Sequence, residues 1–507
     1  MKKKEKEIYI GIIVVLILII LIISLVFIGV KRGKRGKDNN GANPPIVEGQ
    51  REDWQVVPVS GAKCGNGEEY VMGFSAGPAK INGKPNNRLV IWLPGGGDTM
   101  VDKDGKFRTN VGFTLGLINP PKQFNEDNSF IFLDHPDNND FVKDANWVIL
   151  PYCTQDFHSG RLTEPIEYDF TGETGMVKSY ENLINNKINF QEIEKNYPYV
   201  RTVTHEEDGR IIIDKLYISI IHDGGINIEL GLDKTFELLK ERDFDLDRAE
   251  IIMAGSSAGS FGTWYNAWRV GDILYKHPGA KFTIIPESGS PITRGWNGEE
   301  LVVENDKIGG VNYRLSYYDN VIPCKFSGGE YLGGGNCKDI LDLIDHYHER
   351  WPGMDFTIMP VANKEDLVLV GGLGDQNDPG FDAKLLKLCQ TIHRYSQYIS
   401  KIDEVYPYTL WQYKDIGSKE ARVHGLTNSL LTVKMVSPND QQSDEYGILK
   451  MINDVATRKL KWNEQVPHIE YTLNVVRNPK SKVSTVESRP NYLQECNVPW
   501  PNQDRPS

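Results

Sequence analysis

The chain has 507 residues, 39% of them hydrophobic and 25% charged, with 23 Tyr, 18 Phe and 10 Trp. That is material for one large or two modest folded domains, and too apolar for a disordered chain. Residues 1–37 carry nine Lys/Arg against Glu5 and Glu7; without them 57 basic residues become 48 and 69 acidic ones 67, so the net charge falls from −12 to −19. Phosphate binding needs clustered cations, so this field argues against nucleic acid as a partner.

After a short tail, residues 1–7, the stretch from Ile8 to Val30 is 23 residues long, uncharged and almost entirely Ile, Leu and Val. At 1.5 Å per residue it makes roughly 34 Å of helix, enough to cross a bilayer. It runs into Lys31-Arg32-Gly33-Lys34-Arg35-Gly36-Lys37 with no small-residue cleavage site, so the prediction is an uncleaved, single-pass anchor. Cations flank it on both sides, and charge alone does not set its orientation. Six cysteines, all in the large domain, suit an oxidising compartment outside the cytoplasm, although six buried thiols fit the count equally well. Cys324 and Cys337 flank a Gly-rich stretch and are expected to close a short loop.

Residues 31–59 read as a basic, then Asn- and Pro-containing linker, and the folded domain is expected over 60–507. Short apolar runs, Leu89–Leu93, Trp147–Leu150 and Ala249–Ala254, alternate with helical patterns such as Asn227–Arg242. Buried parallel strands with helical crossovers have that pattern, so the expected fold is α/β with a mainly parallel sheet flanked by helices. The polar segment 161–210 interrupts the rhythm and reads as a cap or edge insertion.

The most informative stretch is Gly255-Ser256-Ser257-Ala258-Gly259, which follows an apolar strand and precedes a helix-compatible run. Gly-x-Ser-x-Gly in that setting is a nucleophile elbow, where flanking glycines allow a sharp turn that carries the serine. Ser257 is the expected nucleophile and the N–H of Ala258 one oxyanion donor. Upstream, the strand Leu89–Leu93 ends in Pro94-Gly95-Gly96-Gly97, and Gly96 and Gly97 are the candidates for further oxyanion amides. The orienting carboxylate should follow Ser257 at the end of a strand; Asp366 is the first choice and Asp375 its competitor. His424, in a loop past the strand Tyr408–Tyr413, is the expected base. Neither metal-ligand spacing nor a cofactor motif is found: His346 and His348 are two apart on a helix, and Asp243, Asp245 and Asp247 lack the Gly and Glu of a calcium loop.

Several of these stretches together resemble the pectin acetylesterase and Notum-like carboxylesterase family. They are Cys64-Gly-Asn-Gly, Trp92-Leu-Pro-Gly-Gly-Gly97, Pro151-Tyr-Cys-Thr154 with Asp156 and His158, and Ala254-Gly-Ser-Ser-Ala-Gly259. The resemblance implies an α/β-hydrolase fold, a Ser-Asp-His triad, ester hydrolysis without a cofactor, and export. Departures fall at Asp98-Thr-Met after the glycines, at Ser260, where a third glycine is expected, and in the 161–210 insertion. The expected function is hydrolysis of acyl or acetyl esters on a glycan, lipid or protein. The alternatives are a serine peptidase and a catalytically silent hydrolase-fold protein that binds glycans or proteins.

Overall fold

The computed structural model describes residues 51–96, 98–101, 107–110, 118–124, 140–172, 174–185, 198–289, 340–363, 381–406, 408–411, 448–459 and 469–472. All of them belong to one compact unit, residues 48–507. The expected anchor, 8–30, lies outside the described residues. Among those described, no helix is long and apolar enough to cross a membrane.

Among the described residues, ten strands form one mixed sheet. The first four are β1 (Gln55–Lys63), β2 (Glu69–Ser75), β3 (Arg88–Leu93) and β4 (Asn146–Ile149). Three strands of a separate sheet come next in the chain: β5 (Leu162–Asp169), β6 (Val200–Glu207) and β7 (Arg210–His222). The main sheet then resumes with β8 (Glu250–Ser256), β9 (Lys281–Glu287), β10 (Asp355–Ile358), β11 (Val361–Asn363), β12 (Tyr408–Trp411) and β13 (Ile469–Thr472). Its order is β1-β2-β4-β3-β8-β9-β11-β12-β13, with β10 beside β9. Strand β2 is antiparallel to both neighbours, and from β4 onward every pairing is parallel. This is an α/β-hydrolase-like sheet.

The continuous apolar runs are explained by burial on both faces. Alternate residues of β3 and β8 point opposite ways. Leu89, Ile91, Leu93, Ile251 and Met253 join one core; Val90, Trp92, Ile252 and Ala254 join the other. The first core is closed by α2 (Gly224–Lys240), α3 (Ala258–Leu274), α4 (Ile340–Arg350) and α5 (Phe381–Ile399), which follow α1 (Thr174–Asn185) in the chain. On the opposite face α6 (Ile448–Ala456) supplies Met451, Ile452 and Val455.

Two boundaries differ from the sequence reading. The ordered fold takes in part of the expected linker: β1 starts at Gln55, and Glu52 N–H already donates to the Ala76 carbonyl at 2.8 Å. The polar insertion extends beyond 161–210, because β5, β6 and β7 form a separate antiparallel sheet ending only at His222. With α1 it buries a core of its own around Tyr168, Phe170, Tyr180, Leu216 and Ile218. Most residues of β5 and β6 are exposed or half-buried and many are charged, which is why the segment looks like an interruption among fully buried strands.

Candidate active site

The chain leaves β3 to make β4 on one side and returns to make β8 on the other, so the C-terminal ends of β3 and β8 flank a topological switch point. Open α/β sheets bind ligands there. The loop Pro94–Gly96 leaves the end of β3, and Ser257 leaves the end of β8, with Leu93 registered opposite Gly255.

Ser257 sits at φ 57°, ψ −121°, between the last residue of β8 and the first of α3. A side chain there is strained, and the surroundings hold it in place. Ser257 N–H donates to the Glu287 carbonyl at 3.0 Å, and the Ser257 carbonyl accepts Ser260 N–H at 2.9 Å. Behind the turn, a Cβ on Gly259 would run into the Leu93 carbonyl, so only glycine lets the helix start this close to the sheet. The Ser260 hydroxyl donates to the Gly289 carbonyl and ties the helix start to the loop after β9.

Ala258 opens α3, so its N–H has no intrahelical acceptor and lies at the positive end of the helix dipole. The β3 loop comes against this point. A Cβ at Gly95 would lie 2.7 Å from Ser257 Cβ and 3.4 Å from Ala258 N, while one at Gly96 would lie 2.9 Å from the Tyr152 ring. Gly95 therefore makes the close approach to the elbow, and Gly96 faces the loop after β4. Gly96, one of the two glycines whose amides the sequence nominates, thus stands one residue beyond the contact with Ser257. Gly97, Asp366, Asp375 and His424 lie outside the described residues, as do Cys324 and Cys337.

That β4 loop, residues 150–160, is a site component whose geometry was not legible in its residues. Gln155, Phe157 and His158 all have left-handed φ, 54°, 54° and 57°. Three non-glycine residues in that region within four positions need support from outside. Asp156 supplies much of it: its buried carboxylate accepts Thr154 Oγ1 at 2.7 Å, Gly160 N–H at 3.1 Å and Gly224 N–H at 2.7 Å. Burial raises this carboxyl to about 6 even though those hydrogen bonds favour the charged form. Phe157 N–H donates to Tyr152 Oη at 2.9 Å. A disulfide, Cys64–Cys153, fastens the loop to the turn after β1, where Gly65 N–H also donates to the Cys153 carbonyl at 2.7 Å. Next to it, buried His222 bridges the Thr154 carbonyl (2.7 Å) and Tyr168 Oη (2.6 Å), joining the cap to the loop; burial pushes its pKa down to about 4. Among the described residues no cluster of three or more His, Cys, Asp or Glu is arranged to hold a metal ion.

No family model and no curated protein matches the chain. Among solved structures, it is similar to the Wnt deacylase Notum from Drosophila in two crystal forms, with TM-scores of 0.46 and 0.43 and 13% and 14% identity. The matches cover 80% and 71% of this chain and 94% and 85% of the other. A likeness at that level carries nothing about activity or substrate. The hydrolase-like character of the fold stands on the strand order and on the turn at Ser257.

Proposed function

We propose that the protein is a membrane-anchored serine hydrolase that cleaves carboxylic esters, removing acyl or acetyl groups from a glycan, lipid or protein. The observation that carries this reading is Ser257 itself: a strained serine at the switch point, at the N-terminus of a buried helix, with the Gly95 backbone packed against it. A buried Gly/Ser turn serving only to pack helix on sheet gains nothing from the strain at this residue.

In the proposed mechanism Ser257 Oγ attacks the ester carbonyl and His424 takes its proton, then delivers it to the leaving alcohol. Asp366, or Asp375 in its place, orients the imidazole. Ala258 N–H and amides of the Gly95–Gly97 loop stabilise the oxyanion, each donor being worth about 3 kcal/mol of barrier. Water then releases the acyl group by the same path. Residues 8–30 would hold this domain at a membrane.

The test is fluorophosphonate labelling of the full chain with peptide mapping, with Ser257→Ala as control. Covalent adduct at Ser257, absent in the variant, is the expected result, together with turnover of p-nitrophenyl acyl esters. A folded wild-type protein that takes no label would leave the hydrolase-fold binding protein as the better reading.

A further inference from the structure

Resting on the ester-hydrolase reading, we propose that His158 is a positioning residue for the oxyanion loop: through Pro94 it fixes where the Gly95 and Gly96 backbone stands relative to Ser257.

His158 Nε2 lies 2.9 Å from the Pro94 carbonyl oxygen. A carbonyl only accepts, so Nε2 carries the proton and the ring is the donor. Pro94 itself has no N–H, and it is the residue immediately before Gly95, whose backbone touches Ser257. This hydrogen bond therefore holds the loop one residue from the point where its position matters for catalysis. The ring is buried and neutral, because desolvation lowers its pKa to about 4, so the donor persists throughout the neutral range.

Both the backbone and the ring of His158 are held in place. Asn266 Nδ2, from α3, donates to the His158 carbonyl at 2.9 Å. The ring lies 4.6 Å from the Tyr152 ring, centroid to centroid, and Tyr152 is the side chain that Gly96 packs against. On α3, a Cβ at Gly262 would meet His158 Cδ2 at 2.8 Å and Cβ at 2.9 Å, so the missing side chain there makes room for the imidazole. The left-handed φ of His158 aims the ring at Pro94, and the Asp156 hydrogen bonds keep the backbone in that conformation. The same helix thus presents the nucleophile at its first turn and seats the residue that positions the oxyanion loop at its second.

The test measures kcat and KM separately for p-nitrophenyl acetate hydrolysis by the full chain, in His158→Phe, His158→Gln and Gly262→Ala. Phe keeps the ring and removes the donor; Gln restores an N–H of similar reach; Ala at 262 leaves His158 in place but crowds its ring away from Pro94. His158→Phe and Gly262→Ala should lower kcat by about 10- to 100-fold with KM changed less than about threefold, and Gln should recover much of the loss. A residue that served only to fill space would be replaced by Phe without that kcat loss, and Gln would not outperform Phe. If His158→Phe does not fold, the Gly262→Ala variant decides. Wild-type kcat in a folded His158→Phe or Gly262→Ala protein overturns the proposal. Wild-type protein that neither labels at Ser257 nor turns over esters overturns the reading beneath it, a distinct outcome.

Discussion

Asp223 stands before α2 without capping it: its side chain accepts no backbone N–H of the helix start, and its contact is with Asn227 Nδ2 at 3.3 Å. Burial, and then repulsion from Asp156, raise its carboxyl to about 7. In the unfolded chain an Asp titrates near 4. Between those values the folded state holds a proton that the unfolded state has lost, so this group makes stability fall as pH rises from about 4, with a slope that fades as the pH passes about 7. Asp223→Asn removes the ionisation and keeps the shape. Its stability relative to wild type should therefore improve steadily between pH 4.5 and 7.5, with a slope of at most about 1.4 kcal/mol per pH unit. Urea unfolding at several pH values measures this, and parallel wild-type and variant curves would contradict it. Asp223 is not legible as a special residue in the sequence, and His158 is legible only as one member of the motif that carries the resemblance, not as a partner of Pro94. Gly-x-Ser-x-Gly is a local pattern whose strain is written in five adjacent positions, whereas Asp223 depends on Asp156 and His158 on Pro94, 64 residues away.

The strands show the same division between local and distant information. The apolar runs Leu89–Leu93, Trp147–Leu150 and Ala249–Ala254 correspond to β3, β4 and β8, because a strand buried on both faces leaves an unbroken hydrophobic signature. The helix expected at Asn227–Arg242 is α2, beginning three residues earlier at Gly224. What the sequence concealed is how the connections are stapled. Cys64 and Cys153 appear in separate motifs, and nothing in either motif pairs them; only the antiparallel β2–β4 contact brings the turn after β1 to the end of β4. Their separation of 89 residues closes a long loop in the unfolded chain. The chain-entropy relation for such a loop gives up to about 4–5 kcal/mol, less whatever structure the unfolded state retains. Cys64→Ser with Cys153→Ser should lower the midpoint of thermal unfolding by several degrees. Because the bond anchors the strained 155–158 segment, esterase turnover should be lost at a lower temperature than the bulk helical signal. Coincident loss of both in the double variant would place the disulfide's effect on global stability alone.

At the scale of the molecule, the sheet, its two cores and the elbow explain why a nucleophile would be reactive here, but the choice of substrate belongs to the surface. Beyond residue 37 the chain carries 48 basic and 67 acidic residues. In the three-stranded sheet, Glu164 on β5 and Glu206, Glu207 and Asp208 at the end of β6 are exposed and carry part of that excess. An anionic polymer approaching such a surface meets like charge, while a neutral ester does not. Screening distinguishes the two: the Debye length falls from about 30 Å at 0.01 M to about 8 Å at 0.15 M salt. For an acetylated polygalacturonate, kcat/KM should rise several-fold over that range, chiefly through association, whereas acetylated neutral glycans and small acyl esters should change little. A polygalacturonate ester that is turned over fastest at low salt would mean that a local cationic path overrides the net field. The substrate class would then have to be sought among polyanions after all.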